Sequence, residues 1–555
     1  MNVLSSLSIK PISIICLVII SCISIILKLY LIDFSFPVSS DTLGYLLMSI
    51  SYTNDDYSQI SYRGSGWPLF VSVFYQFLDD SKFEIYSNLI RIVSLGVSTL
   101  TIPLVFLVSR KFFDQKYALV CASLFAFEPH LNRNAGLGLS EPIFIAVVLL
   151  SFLFILNKNS KLIIPSLLFS GLAWWIKLDG FFIFFIITII YFVTYKGKIH
   201  LKRNYLVGLI IFFIVISPML IQKQEQFGNP FYSYYGDVMF AGSYEKLLAE
   251  NTKYDNPSAS DYIDEFGMQS FIDNYLLKGI YNIFNLLSKL SFPYLFILIP
   301  FGIIFSFRAF DQNSQYIKAN WLFLILASVS MIITLSVVAE RRYLFYLLPF
   351  LIFFSVIPIQ RVTEYGLNTF SFSRKQKDIF LIIVISLALS LSVYFTTNMY
   401  QNPDPFLENE KLKLSDYMIK NLDGNIQRDF SPNMQYVTYH SVTLSPKSFT
   451  EYSNSNGLDE FNEFHKLERI FVTGDSVLEL VSNGEKYELK YIFAYESQNN
   501  FHPFLDTLYT NDTQYPFLTK IFDSNNHGFE KIKIKLFEID YTKFYEYTKN
   551  IKTND

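Results

Sequence analysis

Ser39-Ser40-Asp41-Thr42-Leu43-Gly44-Tyr45 lies just beyond an apolar run from Ile12 to Ile32, and together the two stretches decide how the rest of the chain is read. A helix needs about 20 predominantly apolar residues to cross the hydrocarbon core of a bilayer, and the run supplies them. Asp41 then stands just outside the membrane, in the first loop. Lys10 precedes the run, which is longer than a signal-peptide core and lacks a small-residue cleavage site, so it reads as a retained signal anchor.

Further apolar runs occur at about Leu89 to Val108, Tyr117 to Phe127 (extending toward Leu131), Pro142 to Leu156, Leu162 to Ile176, Phe181 to Tyr195, Tyr205 to Ile221, Ser291 to Phe307, Trp321 to Val338, Tyr343 to Ile359 and Ile379 to Phe395. With the first, about eleven transmembrane helices are expected. Hydrophobic residues make up 51% of the chain, concentrated before Gln401, which is the pattern of a polytopic membrane protein. Short cytoplasmic loops carry an excess of Lys and Arg. Alternate connections are basic here: Arg110, Lys111 and Lys116; Lys158 and Lys161; Lys196, Lys198, Lys202 and Arg203; Arg308 and Lys318; Arg361, Arg374, Lys375 and Lys377. Placing these in the cytoplasm puts the N-terminus inside and the loops 33–88 and 222–289 outside, together with the tail, in a multi-pass protein of a cell membrane. From Gln401 onward, strand-like Arg469 to Val472, Tyr491 to Tyr495 and Lys531 to Ile539 alternate with helical or turn-rich stretches. The expected organisation is an α-helical polytopic membrane domain over residues 1–400 and a soluble extracytoplasmic α/β domain over 401–555.

Several function classes recede on composition alone. A net charge of -3 provides no general attraction to nucleic acid. Cys16, Cys22 and Cys121 all lie in apolar segments and do not form a disulfide framework, zinc knuckle or thiol nucleophile. A transporter or lipid flippase would carry acidic or His residues in mid-helix or show repeated halves, and neither is visible. A non-catalytic membrane scaffold stays open. The sequon Asn511-Asp512-Thr513 agrees with an outward tail, although three-residue sequons arise often by chance.

Ionisable residues collect at the helix ends and loops assigned to the outer side: Asp41, Arg63, Glu128, His130, Arg133, Glu141, Lys177, Asp179, Glu340, Arg341 and Arg342. Charge near bilayer depth is costly, so such groups either line a cavity or snorkel to the surface. In the same loop as Asp41, Ser61-Tyr62-Arg63-Gly64-Ser65-Gly66-Trp67-Pro68 leads into Leu69 to Phe77, which fits an amphipathic helix at the interface. Further along come Leu139-Ser140-Glu141-Pro142-Ile143-Phe144, Phe227-Gly228-Asn229-Pro230-Phe231, and Glu340-Arg341-Arg342-Tyr343 before Leu347-Leu348-Pro349. In this order, over residues 10 to 400, the motifs resemble those of the GT-C superfamily of membrane glycosyltransferases, most closely the protein mannosyltransferase and lipid A aminoarabinose transferase branch (glycosyltransferase family 39-like).

That resemblance implies transfer of a hexose-like sugar from a polyprenyl (dolichyl) phosphate to a protein, lipid or glycan acceptor at the outer face, usually with inversion. It makes Asp41 the base toward the acceptor hydroxyl, with Glu141 assisting or bonding the sugar. Arg341 and Arg342 become partners of the departing lipid phosphate, Arg342 the better placed because it directly precedes Tyr343. Lys177 and Asp179 bind phosphate or orient sugar hydroxyls, and Arg63, Tyr45 and His130 complete the substrate-binding set. Each residue also has a plain structural role. Ser-Ser-Asp-Thr is good capping chemistry, Ser140-Glu141-Pro142 is a good helix start, the two arginines can anchor a helix at the interface, and Lys177 to Gly180 can be an ordinary polar turn. His130 and Glu128 could form a metal site with Asp41, but there is no Asp-x-Asp pair and no His-x-x-x-His spacing. The expectation is a metal-independent enzyme without cofactor; a divalent cation belongs to the rival reading of an oligosaccharide transferase.

Overall fold

A computed structural model describes residues 9–38, 41–57, 64–78, 83–157, 159–194, 200–233, 239–240, 258–307, 314–399, 404–428, 434, 437, 467–496 and 502–552. Ser39, Ser40 and Arg63 lie outside the described residues, as does most of the stretch from 234 to 257.

The first apolar run forms α1 (Pro11–Tyr30), with Pro11 in the first turn, where its missing N–H costs nothing. Its faces are inverted relative to a soluble helix. Ser13, Leu17, Ser24 and Lys28 are buried, whereas Ile12, Ile15, Ile19, Ile23 and Ile26 are exposed, which is what a helix needs when its outer solvent is lipid. The first long loop holds α2 (Asp41–Thr53) and α3 (Gly66–Tyr75). A small apolar cluster that includes Leu43, Leu46, Trp67, Val71 and Ile90 fastens both to α4 (Phe83–Ser109). Next come α5 (Gln115–Ala126), the short α6 (Pro129–Ala135), α7 (Glu141–Ile155), α8 (Ile163–Ile176), α9 (Gly180–Thr194) and α10 (His200–Phe227). Helix α8 packs between α7 and α10, and α7 packs on α4.

The second half contains α11 (Ala259–Phe271), α12 (Lys278–Ser291), α13 (Leu295–Ser306), α14 (Ser314–Ser330) and α15 (Ile332–Val337). A 3₁₀ segment, Arg341–Leu347, then runs into α16 (Leu348–Arg361), and α17 (Arg374–Met399) follows. Aromatic rings lock these helices to the first half: Phe323 of α14 stacks on Phe350 of α16 at 3.9 Å, and Phe152 of α7 meets Phe350 edge-on at 4.9 Å.

Among the described residues, five helical segments are long and apolar enough to cross a bilayer unaided: Pro11–Tyr30, Glu84–Ser109, Lys202–Phe227, Arg341–Thr369 and Arg374–Asn398. They make this an integral membrane protein. Two other runs are not continuous helices. Ser291 to Phe307 yields α13, which is bent 114° from the helix before it. Its 12 residues reach about 18 Å at ~1.5 Å per residue, short of a core of about 30 Å. Trp321 to Val338 is divided at Met331, between α14 and α15.

The C-terminal part holds α18 (Pro405–Asn421) and a five-stranded sheet in the order β2-β1-β3-β5-β4. The strands are β1 (Gly424–Gln427), β2 (Leu467–Ile470), β3 (Leu489–Tyr495), β4 (Leu518–Asp523) and β5 (Ile534–Ile539). The β2-β1-β3 pairings are parallel, and β5 runs antiparallel to both β3 and β4. The strand-like segments Tyr491 to Tyr495 and Lys531 to Ile539 fall within β3 and contain β5, respectively, while Arg469 to Val472 overlaps β2 only at Arg469 and Ile470. β1, with only four residues, and β4 lack a clear period-two apolar signal. Glu410 of α18 ties the helix to the sheet layer, its carboxylate accepting the backbone N–H groups of Glu530, Lys531 and Ile532.

Candidate active site

Asp41 opens α2, where a carboxylate is favoured by the helix dipole. Its Oδ2 accepts a hydrogen bond from Nη1 of Arg342 at 2.5 Å, across 301 positions of sequence. Arg342 also donates from Nε to Glu340, so one guanidinium serves two carboxylates. Both side chains of the Asp41–Arg342 pair are 27% exposed, so the pair is half-buried with one side still reached by solvent.

A second ion pair lies nearby and is far more enclosed. Lys177 Nζ donates to Glu141 Oε1 at 2.8 Å, with the two side chains 12% and 5% exposed. Lys177 ends α8 in an extended conformation, and Glu141 is the first residue of α7. Tyr343 joins the two pairs: the Lys177 ammonium is 5.5 Å from its ring centroid and the Arg342 guanidinium 5.7 Å, both in cation–π range.

The first long loop holds this arrangement in place. Thr42 Oγ1 donates to the Leu137 carbonyl at 2.7 Å, Trp67 Nε1 donates to the Gly138 carbonyl at 2.9 Å, and the Tyr45 hydroxyl lies 3.3 Å from Ser140 Oγ. These three contacts clamp the approach to Glu141. Gly138 has φ +77, and a Cβ there would lie 2.8 Å from Thr42 Cγ2, so the clamp needs glycine. At Gly64 a Cβ would come within 2.1 Å of the Ile176 carbonyl oxygen, so the loop backbone rests directly on the last turn of α8, next to Lys177. Phe231 of the Phe227-to-Phe231 motif stacks with Trp174 at 6.2 Å, bringing the turn after α10 to the same rim.

The other candidates are placed differently. His130 is buried; its Nε2 lies 3.3 Å from the Lys289 carbonyl and its ring stacks on Phe345. Burial, reinforced by the Arg341 charge, pushes its pKa down to about 4, so the imidazole is neutral near pH 7. Arg341 is exposed, and of the two adjacent arginines it is Arg342 that pairs with Asp41. Asp179 sits in the turn after Lys177; burial raises its pKa despite the opposing pull of that lysine. Tyr343 and Ser140 escaped the sequence reading as site residues, although Tyr343 directly follows Arg342.

No family model matches the sequence, and no curated protein matches it. Solved structures do match. The oligosaccharyltransferase of Archaeoglobus fulgidus in complex with Zn and sulfate superposes with TM-score 0.56 at 13% identity, covering 86% of this chain and 68% of that one. The same archaeal enzyme, AglB, with an inhibitory peptide and a dolichol-phosphate gives 0.54 at 12% identity, over 86% and 69%. ArnT from Cupriavidus metallidurans in the apo state gives 0.50 at 11% identity, over 94% of this chain and 97% of that one. The chain has the fold of the GT-C glycosyltransferases. Within the GT-C fold, the fit of a metal can be tested on this chain's own residues. Among the described residues, no three His, Cys, Asp or Glu side chains gather as ligands, and the Asp41 carboxylate already faces a guanidinium. This donor set does not fit a zinc centre.

Proposed function

We propose that this GT-C-fold protein is a glycosyltransferase that takes a hexose-like sugar from a polyprenyl-phosphate carrier and delivers it to a protein, lipid or glycan acceptor. The observation that carries this reading is the solvent-open Asp41–Arg342 pair. In the reaction, the acceptor oxygen attacks the anomeric carbon, Asp41 takes the hydroxyl proton, and the bond from that carbon to the phosphate oxygen breaks with its electron pair leaving on the phosphate. Attack opposite the leaving group inverts the anomeric centre. Arg342 has further N–H groups with which to meet the phosphate as its charge develops, and such donors act most strongly in a dehydrated site. The Glu141–Lys177 pair fixes the inner wall, with Lys177 and Asp179 toward the sugar and phosphate. About eleven spans, with the N-terminus in the cytoplasm, would put this chemistry at the outer face and the C-terminal α/β domain beside it, over residues 401–555.

The test is sugar release from a panel of polyprenyl-phosphate sugars by wild type and Asp41→Asn, each with and without chelator. The expected result is turnover that is lost in the variant and unchanged by chelator. Turnover abolished by chelator would move the chain to the cation-dependent oligosaccharide transferases. Full turnover by Asp41→Asn would remove Asp41 from the reaction.

A further inference from the structure

Lys28 lies in the last turn of α1, four residues before the end of the expected span, where a lysine ordinarily snorkels outward to water. This one turns inward and is only 2% exposed. Its Nζ donates to Ser98 Oγ of α4 at 2.9 Å. A hydroxyl that accepts from an ammonium retains its own hydrogen to donate. Beyond Ser98 lies a cavity of about 10 Å³, lined by Ser98 and Thr101 of α4, Asn134 of α6 and Glu141 of α7, and closed by apolar neighbours. Glu141 and Asn134 are each 4% exposed. Glu141 Oε1 is taken by Lys177, but its Oε2, like Asn134 Oδ1, is buried without a hydrogen-bond partner among the described residues.

Two orphaned acceptors and a hydroxyl on residues that line a space of this size match one water molecule, which needs roughly 10–15 Å³ and 2–4 polar partners. We propose that this cavity is a binding site for one structural water that closes a hydrogen-bond relay from Lys28 through Ser98 to Glu141. The donors and acceptors balance along the chain. The Lys28 ammonium donates to Ser98 Oγ, the Ser98 hydroxyl donates to the water oxygen, and the water's two hydrogens go to Glu141 Oε2 and Asn134 Oδ1. Glu141 is then held from both sides, by Lys177 on the site face and by the relay behind it. Lys28 is a positioning residue: it touches no substrate, and it fixes the carboxylate that orients Lys177. The competing role for Lys28 is a cation stabilising the C-terminal end of α1 through the helix dipole, which would leave Glu141 indifferent to it.

Thermal unfolding of the full chain in nanodiscs separates the two. Wild type, Lys28→Met, Glu141→Gln and the double variant are compared, then all four again with Ser98→Ala. The relay predicts that the double variant loses no more Tm than the worse single variant, and that this coupling disappears once Ser98 is alanine. Losses that simply add in the Ser98 background would overturn it. Should Lys28→Met fail to fold, the infrared carboxylate band of isotope-labelled Glu141, assigned by Glu141→Gln, decides between the two: it shifts in Ser98→Ala if the relay exists and stays put if it does not. A turnover arm rests on the glycosyltransferase reading. There Ser98→Ala should lower kcat about tenfold at unchanged KM, the scale of one charge-assisted hydrogen bond. A wild type that turns over no donor would count against the functional reading alone, because the unfolding and infrared arms still decide the relay.

Discussion

The two ion pairs against Tyr343 have the same chemistry and different surroundings. Asp41–Arg342 is 27% exposed on each side, whereas Lys177–Glu141 is at 12% and 5%. A half-buried pair that water and salt still reach is worth less to stability than an enclosed one. A buried pair is costly to break, because removing one partner strands the other charge away from water. Under the proposed function the open pair exchanges partners, with Arg342 moving toward a phosphate and Asp41 toward a hydroxyl. The closed pair is a brace. Substitutions at the first should register in turnover, and substitutions at the second in folding.

The largest effect is expected at Asp41. Asp41→Asn removes the proposed base while keeping the side chain's shape, and donor turnover should fall by about 10²- to 10⁴-fold, the usual contribution of a general base. Next is Lys177→Met, which leaves Glu141 buried without its cation. It should cost about 3–5 kcal/mol of stability, read as a lowered Tm in a lipid environment, and the comparison would fail if it reduced turnover alone. His130 gives a pH signature of intermediate size. Its folded pKa of about 4 lies below the ordinary value of 6.5, so the unfolded chain binds a proton that the folded one refuses. The stability this group contributes is whole above about pH 6.5 and is lost as pH falls toward 4, by about 3 kcal/mol at most. Unfolding curves of wild type and His130→Asn across that window should converge on acidification. The smallest effect belongs to Arg342→Lys, which keeps the charge but loses the planar fork. It should lower kcat/KM about tenfold with little change in Tm.

Much of this arrangement was legible in the sequence, and the unread parts share a cause. Apolar runs of bilayer length located α1, α4, α10 and α17, because the length criterion is local. Asp41, Glu141, Lys177 and Arg342 stood out as charges at the ends of such runs, and the structure brings those four together. What local reading could not supply was pairing. That Arg342 rather than Arg341 meets Asp41 is seen only in the folded chain, where both lie in a 3₁₀ segment, and hydropathy does not distinguish such a segment from an α-helix. Tyr343 matters as a ring shared by cations from α8 and from its own segment, a relation visible only after folding. Lys28 does not stand out in the sequence, because one lysine near the end of an apolar helix has an ordinary explanation. Its signal was the polar spacing Ser24, Lys28 on one face of α1, which marks that face as turned inward. In the tail, β1 and β4 were missed for want of alternation, and parallel pairing with β1 links segments far apart in sequence.

The central claim is that the open pair reacts while the closed pair supports. It is tested most directly by measuring sugar release and Tm on the same preparation of Asp41→Asn beside wild type and Lys177→Met. The account predicts turnover lost with Tm lowered far less than by Lys177→Met, since a partly solvated pair contributes less to folding than an enclosed one. Turnover retained, or turnover lost with Tm lowered as far as by Lys177→Met, would contradict it.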